Sequence, residues 1–232
     1  MARTPARQPE PDLFGLDAGK VASTGDRWPP DDLEPGTLAE ARQMSVTCTR
    51  CDLFKNATQT VFGEGPQDAA IMLVGEQPGD QEDLMGRPFV GPAGKLLDRA
   101  LADAGLDRGR LYVTNGVKHF KNELRGKKRL HKRPDVGEID VCAWWLEIER
   151  RTIKPKVIVA LGATGLRALT GRSAAIASLR GRSDRLPDGT MLIVTIHPSY
   201  LLRMPDREAA EVEYERFVAD LKGANSEIGN SE

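Results

Sequence analysis

The feature of this sequence that most constrains its fold is the alternation of short apolar runs with amphipathic segments. Four runs have the length and composition of buried strands: 69–76, 111–117, 156–162 and 190–198. Segments with apolar residues at helical spacing lie between or after them: 91–105, 138–153, 163–171 and 207–222. Such alternation is typical of parallel sheets covered by helices on both faces. The sequence therefore predicts a single three-layer α/β/α domain with a central, mainly parallel four-stranded sheet.

The two ends of the chain differ from this pattern. Residues 1–35 contain six of the fifteen prolines, few large apolar residues and no periodicity. Such composition disfavours a packed core. We therefore expect an acidic, proline-rich and largely disordered arm over 1–40, a folded domain over 41–222, and a frayed tail over 223–232.

Charge and cysteine content narrow the class of protein. Residues 1–40 hold four Lys/Arg against eight Asp/Glu, and residues 206–232 hold three against eight. Because the whole chain has a net charge of −1, the middle carries a surplus of eight positive charges, which suits a polyanionic partner. No apolar run approaches the roughly 20 residues that cross a bilayer. Three cysteines, an odd number, favour a reducing compartment, so we expect a cytoplasmic protein, with a monomer as the default state.

Polar residues follow the predicted strands at positions that a parallel sheet brings to one edge. The segments are Glu76–Asp80, Asn115–His119, Gly162–Thr164 and His197–Ser199. Ligands of such folds bind beyond the carboxyl ends of the strands. We therefore predict the functional site at this carboxyl edge.

A basic run lies between the second predicted strand and the next helix. Residues 118–133 contain eight Lys/Arg and one acidic residue, and "GKKRLHKRP" places His131 among five cations. A solvated loop is one interpretation. The other is a loop that contacts phosphates, since Lys and Arg release counterions from nucleic acid. Ser199 and Arg203, in "HPSYLLR", would supply further phosphate contacts.

The three cysteines suggest a metal site. Cys48 and Cys51 have C-x-x-C spacing, but their flanks do not show the strand and helix of a redox motif. Cys142 is the third cysteine, and His119 is the nearest soft donor at a strand end. We infer a site of Cys48, Cys51, His119 and Cys142, which could hold structural zinc or an iron–sulfur cluster. On their scattered spacing alone, these could equally be four unrelated residues.

Two nucleotide-binding motifs are excluded. "GEQPGDQED" (75–83) follows a strand but lacks the G-x-G-x-x-G spacing of a dinucleotide fingerprint. "GPAGKLL" (91–97) lacks the first glycine of a P-loop, and Leu96 stands where its hydroxyl should be.

Taken together, the motifs resemble the family 4 uracil-DNA glycosylases over roughly residues 46–222. The matching segments, in order, are the C-x-x-C pair, "GEQPGDQED", "GRPFVGPAG", "YVTNGVKH", "LGATGLRAL" and "HPSYLLR". Within that family the chain resembles the UdgX subgroup of uracil-DNA-binding proteins, with Gln77 in the first motif and a basic insertion, "KKRLH". The insertion departs slightly from the more usual "KRRIH", which leaves a supporting role for Lys128 in doubt.

This resemblance implies specific chemistry. Such proteins excise uracil from DNA and stay covalently joined to the abasic sugar through the loop histidine, here His131. It also implies a 4Fe-4S cluster on three cysteines and His119, with zinc as the alternative. Glu76 would assist activation of the nucleophile, and His197 would donate to a uracil carbonyl.

The resemblance further implies which residues contact the substrate. Phe89 would lie under the uracil ring, Asn115 would read its polar edge, and Arg129 would support the loop. The remaining predicted substrate contacts are Gln77, Asp80, Ser199 and Arg203.

Three functions follow from the sequence. The first is single-turnover excision with a covalent adduct on uracil-containing DNA, either single- or double-stranded. The alternatives are a conventional multiple-turnover glycosylase and a non-catalytic, metal-stapled nucleic-acid-binding module.

Overall fold

A computed structural model describes residues 35–229. The five strands of its central sheet are β1 (Ile71–Gly75), β2 (Tyr112–Asn115), β5 (Val157–Leu161), β6 (Ser183–Arg185) and β7 (Met191–Thr195). Their order in the sheet is β2-β1-β5-β7-β6. Four are parallel and the fifth, at one edge, is antiparallel. The predicted α/β class is confirmed, but the predicted count of four strands is wrong. β6 was missed because this short, solvated edge strand has no apolar run.

The helices form the outer layers. They are α1 (Leu38–Ser45), α2 (Asp80–Met85), α3 (Pro92–Asp103), α4 (Val136–Ile153), α5 (Gly162–Thr170), α6 (Ile176–Leu179), α7 (Pro198–Leu201) and α8 (Arg207–Gly229). Alternate residues of the strands face opposite layers: Met72 and Val74 pack with α4 and α5, whereas Ile71 and Leu73 pack with α3 and α8. This two-sided burial explains the continuous apolar runs in the sequence. Within residues 35–229, no helix is long and apolar enough to span a bilayer.

Two helices extend across the predicted domain boundaries. Residues 1–34 of the predicted arm, including Phe14 and its neighbours, lie outside the described residues. At its other end α1 already begins at Leu38, because Thr37 and Glu40 form a capping box. At the C-terminus, α8 continues to Gly229 instead of ending at 222. The fully buried Ala224 packs in the same layer as α3 and so holds these roughly two extra turns in place.

The basic run forms a β-hairpin and not a loop. β3 (Asn122–Arg125) pairs antiparallel with β4 (Lys128–His131), and Gly126 in the connecting turn has a φ of 63°. A two-residue turn with a glycine at positive φ is typical of hairpins. Because an isolated hairpin is only marginally stable, this one depends on contacts at its base.

Candidate active site

Glu76 lies directly after β1, at the carboxyl edge of the sheet. One carboxylate oxygen, Oε2, accepts a 3.0 Å hydrogen bond from the hydroxyl of Thr164 in the first turn of α5. The other, Oε1, lies 3.2 Å from Nε2 of His131 at the end of β4. Burial acts to raise the pKa of Glu76. The pKa nevertheless lies below its usual value, because Glu76 accepts hydrogen bonds from His131 and Thr164 and is attracted by the charges of His131 and His197. Glu76 is therefore ionised at neutral pH beside a half-exposed imidazole.

His197 lies between β7 and α7, and one of its ring nitrogens, Nδ1, is hydrogen-bonded to Ser199. Its Nδ1 accepts from the backbone N–H of Ser199 at 3.2 Å and lies 2.8 Å from the Ser199 hydroxyl, which itself accepts from Arg203 at 3.0 Å. Burial lowers the pKa of His197 to about 4, against the opposing charge of Glu76. The ring is thus neutral at pH 7 and carries its proton on Nε2, the tautomer that can donate to a ligand.

This pKa predicts a pH-dependent stability. Because the unfolded chain binds a proton on His197 below about pH 6.5 and the folded chain does so only below about 4, stability falls as pH drops through that window. The largest slope expected from this group is about 1.4 kcal/mol per pH unit. The free energy of unfolding is measured by urea titration at pH 7 and at pH 5. From pH 7 to pH 5 it should fall less for His197→Asn than for the wild type. Equal losses in both proteins would contradict the assigned pKa.

Asn115, at the end of β2, packs closely with Gly75 and Phe89, and we call this group of three residues the Asn115 pocket. The side chain of Asn115 is 2% exposed, and its Oδ1 has no hydrogen-bond partner among residues 35–229. A Cβ at Gly75 would lie 2.5 Å from both Asn115 Oδ1 and the ring of Phe89, so only glycine leaves room here. The Phe89 ring lies 5.8 Å from that of His197, with a tilt of 30° between their planes. Phe89 also has a φ of 54°, a strained backbone of the kind that collects at functional sites.

The side chain of Gln77 holds the base of the hairpin. Its Oε1 accepts from the N–H of Lys121 at 3.0 Å, and its Nε2 donates to the carbonyls of Lys132 at 3.0 Å and Lys121 at 3.3 Å. Lys121 also pairs with Asp135 and Glu138, the capping residues of α4. Within residues 35–229 the side-chain amide of Gln77 contacts the hairpin backbone, and the predicted substrate contact through the backbone N–H of Gln77 stays a prediction.

Arg129 attaches β4 to the first turn of α2. Its Nε donates to Asp80 at 2.7 Å, and one terminal nitrogen donates to Asp83 at 2.5 Å and to Thr58 at 3.0 Å. Asp83 is fully buried, so this ion pair is shielded from solvent on that side. The predicted role of Arg129 as a support agrees with this position and stays a prediction.

Three further residues that were predicted to contact the substrate form hydrogen bonds with other side chains of the protein. Asp80 engages Arg129, Ser199 engages His197, and Arg203 engages Ser199. Two participants were not assigned a role from the sequence: Thr164 and Asp83. Thr164 was placed at the carboxyl edge by its position after a buried strand, whereas Asp83 gives no sign in the sequence of its distant partner.

The predicted metal ligands lie on segments that pack together. Cys48 and Cys51 pack against the apolar cluster that contains Cys142 of α4. Cys142 Sγ accepts from the backbone N–H of Lys118 at 3.1 Å, and Cys48 Sγ accepts from the indole of Trp145 at 3.2 Å. Burial raises the pKa of Cys142 to about 12, and the nearby Cys51 and Cys48 thiols add to this effect.

The donors do not converge on one point. In the described part of the chain, no group of three or more His, Cys, Asp and Glu side chains could hold a single metal ion. This arrangement confirms neither zinc nor a cluster. His119 nevertheless presents a buried Nδ1 that has no hydrogen-bond partner within the described residues, the state expected of a nitrogen that binds something else. Three soft thiols and this nitrogen have the donor chemistry of an iron–sulfur cluster, whose several irons space its ligands farther apart.

Comparison with known proteins identifies the family. The sequence profile described as "Uracil DNA glycosylase superfamily" matches residues 62–222. The chain belongs to this superfamily. The match includes Glu76, the Asn115 pocket, the hairpin and His197, so the whole carboxyl edge described above lies within the uracil-DNA glycosylase region.

Individual relatives agree with the superfamily assignment. The chain is 39% identical to the "Type-4 uracil-DNA glycosylase" of Thermotoga maritima over 182 residues, which cover 78% of this chain and 89% of the relative. It is 35% identical to the protein of the same name from Pyrobaculum aerophilum, over 80% of this chain and 93% of the relative. A "DNA polymerase" of Bacillus phage SP01 is 33% identical over 69% of this chain, but over only 16% of its own length.

Proposed function

We propose that this chain is a uracil-DNA glycosylase that removes uracil and then stays covalently joined to the abasic sugar through His131. The observation that carries the proposal is the 3.2 Å contact between His131 and Glu76, beside the Asn115 pocket. Membership of the superfamily and the names of the relatives support the glycosylase part. The covalent part rests on the tethered hairpin, which holds His131 at the carboxyl edge.

Asn115 has the chemistry to read uracil. Its side-chain amide offers one acceptor and one donor, which match the N3–H and O4 of uracil. Cytosine presents the opposite pair, an unprotonated N3 and an amino group, so both contacts would fail. A buried polar group left without a partner costs about 1–3 kcal/mol, and this penalty would reject cytosine. Phe89 would stack under the base, once the nucleotide has been flipped out or supplied from a single strand.

Cleavage of the glycosidic bond leaves its electron pair on uracil and cationic character on the sugar. Fixed donors at the uracil oxygens stabilise the leaving anion, and each is worth on the order of 3 kcal/mol. His197 can supply a neutral Nε2–H, Asn115 its amide, and Gln77 its backbone N–H. Ionised Glu76 would stabilise the positive charge that develops on the sugar.

His131 would then capture the sugar. Its unprotonated ring nitrogen forms a bond to C1′ as the bond from C1′ to uracil N1 breaks. The alkylated ring is an imidazolium, whose positive charge Glu76 can balance or whose N–H proton Glu76 can accept. Gln77 holds the base of the hairpin and Arg129 attaches β4 to α2, and these contacts would keep the ring near the sugar.

Exposed cations of the hairpin would bind the DNA backbone. Arg125, Lys127 and Lys128 lie at or beside its turn and are all exposed. Lys and Arg at such positions bind phosphates without reading sequence. Uracil-containing DNA is thus the proposed partner, in either strand state, while a monomeric state and a cytoplasmic location stay predictions from the sequence.

A conventional multiple-turnover glycosylase is the second candidate. The names of the relatives, which are type-4 uracil-DNA glycosylases, favour it. In that case water captures the sugar, and His131 contributes only to DNA binding.

A denaturing gel separates these functions. The protein is incubated with a uracil-containing oligonucleotide, and the mixture is heated in SDS. We expect a slow, SDS-stable protein–DNA band that does not exceed one DNA per protein. Free, alkali-cleavable DNA without such a band would support the conventional glycosylase. Unchanged DNA would support the non-catalytic module. A matched oligonucleotide with thymine in place of uracil is the control.

We also propose that Cys48, Cys51, His119 and Cys142 hold a 4Fe-4S cluster. When bound, such a cluster would cross-link three parts of the chain. These are the segment before β1 with Cys48 and Cys51, the segment after β2 with His119, and α4 with Cys142. Its role here is structural, and no step of the reaction passes through it.

The cluster predicts a coloured protein. After anaerobic purification we expect about four irons per chain and broad visible absorption, the properties of a 4Fe-4S protein. Cys142→Ser should lose both, and its thermal midpoint should fall because the cross-link is gone. A colourless protein that contains one zinc per chain would contradict the cluster.

A further inference from the structure

A fully buried ion pair lies beneath the Asn115 pocket. Lys118 and Glu149 have side chains that are 0% exposed, and Lys118 Nζ lies 2.6 Å from Glu149 Oε2. Burying two charges usually costs as much as their attraction returns, so such a pair is weak evidence for a role in stability. Its geometry therefore calls for another explanation.

The ammonium of Lys118 fixes the end of β2. Besides Glu149, it donates to the hydroxyl of Thr114 at 2.7 Å and to the backbone carbonyl of Asn115 at 2.8 Å. All three N–H groups are thus used. The contact to the Asn115 carbonyl fixes the peptide plane next to the Cα from which the Asn115 amide projects.

Glu149 holds this ammonium in turn. Its oxygens also accept from the Tyr112 hydroxyl at 3.1 Å, from the Thr114 hydroxyl at 2.9 and 3.1 Å, and from the N–H of Gly63 at 2.8 Å. A carboxylate with this many donors has a single well-defined position. The Lys118 side chain is therefore fixed at both ends, by its own backbone and by Glu149.

The backbone of Lys118 is attached to the same helix as its side chain. Its N–H donates to Cys142, and its Nζ contacts Glu149, so two residues of α4 seven positions apart hold it. Seven residues are close to two helical turns, which places both on one face of α4. A rigid helix thus sets the position of the residue that supports Asn115.

We infer that Lys118 is a positioning residue that aligns Asn115 with the uracil edge. This inference rests on the proposed role of Asn115 as the base reader. Lys118 does not touch the substrate. Its removal lets the end of β2 shift, and a displacement near 1 Å in a reacting group can cost on the order of 10²-fold in rate.

A double-mutant cycle tests this inference. Lys118→Met is combined with Glu149→Gln, since Lys118→Met alone would leave an unpaired buried charge. The single-turnover rate of uracil release is measured well below the thermal midpoint of each variant. We expect about a 10²-fold loss for this pair of substitutions and about 10²–10³-fold for Asn115→Ala. When Lys118→Met and Glu149→Gln are added to Asn115→Ala, the rate of uracil release should fall by less than about a further threefold. The reason is that the effects of residues that act as one unit are not additive.

Arg150→Met with Glu147→Gln is the matched control. This pair lies on the same helix and is 12% and 9% exposed, and its further ion-pair partners in the part of the chain that the structure describes are Asp188 and Arg151. It should lower the thermal midpoint and leave the rate of uracil release unchanged.

Two results would overturn the inference. One is a loss of rate in the combined variant that equals the product of the two separate losses, which would mean that Lys118 acts independently of Asn115. The other is an unchanged rate in the Lys118 pair variant. An unchanged rate in Asn115→Ala itself would instead refute the proposed base reading. If the pair variant does not fold, Lys118→Gln with Glu149→Gln can serve in the same cycle, since its two amides can hydrogen-bond each other.

Discussion

Replacement of His131 by alanine should abolish the SDS-stable protein–DNA band while uracil is still released. The substitution removes the nitrogen that captures C1′, and it leaves Asn115, His197 and Glu76 in place to break the glycosidic bond. Water then occupies the vacated space and captures the sugar, so the variant should turn over. The measurement is a time course of band formation and alkali-cleavable DNA with substrate in tenfold excess.

Lys127→Ala is the matched control for the loss of a basic hairpin residue. Lys127 is exposed in the hairpin turn, away from Glu76. Its replacement should weaken DNA binding while the band still forms. The dependence of the binding constant on salt concentration should become weaker by the amount expected for about one phosphate contact. A band of normal intensity with His131→Ala would refute His131 as the nucleophile.

Glu76→Gln should lower the rate of uracil release by about 10²–10³-fold, comparable to removing one electrostatic group from other active sites. The amide has nearly the same shape as the carboxylate, so Thr164 can still donate to it. It lacks the charge that opposes the cationic sugar and balances the alkylated His131. Single-turnover release of uracil, measured with saturating protein, reports this loss without a contribution from product release.

Glu123→Gln provides the comparison for loss of one negative charge near the DNA. Glu123 lies in β3 and pairs with Lys132 on an exposed part of the hairpin. Its rate should stay within about twofold of wild type, since exposed ion pairs contribute little. If Glu76→Gln behaves like Glu123→Gln, Glu76 does not stabilise the reacting sugar.

Much of the fold could be predicted because the four parallel strands of the sheet are buried on both faces. The apolar runs that contain β1, β2, β5 and β7 carry this signal, and their order implies the parallel sheet. The exposed strand β6 carries no such signal. The hairpin was missed for a related reason: Leu124 and Leu130 are the only apolar residues of its two strands, so charge concealed the alternation. The glycine of its turn, Gly126, was the available clue.

The candidate site was predictable where it follows from topology. Strand ends meet at one edge in a parallel sheet, and so Glu76, Asn115 and His197 could be grouped from the sequence. Long-range partners could not be predicted this way. The contacts of Arg129 with Asp83 and of Gln77 with Lys132 depend on how the hairpin folds back over α2 and β1. Nothing in the local sequence specifies them.

Mass spectrometry of the denatured protein–DNA adduct tests the central claim most directly. The adduct is digested with nuclease and protease, and the peptides are fragmented to locate the added nucleotide. We predict a deoxyribose-containing modification on the peptide that carries His131, with fragment ions that assign it to the imidazole. A modification on another residue, or DNA recovered entirely free of protein, would contradict covalent capture by His131.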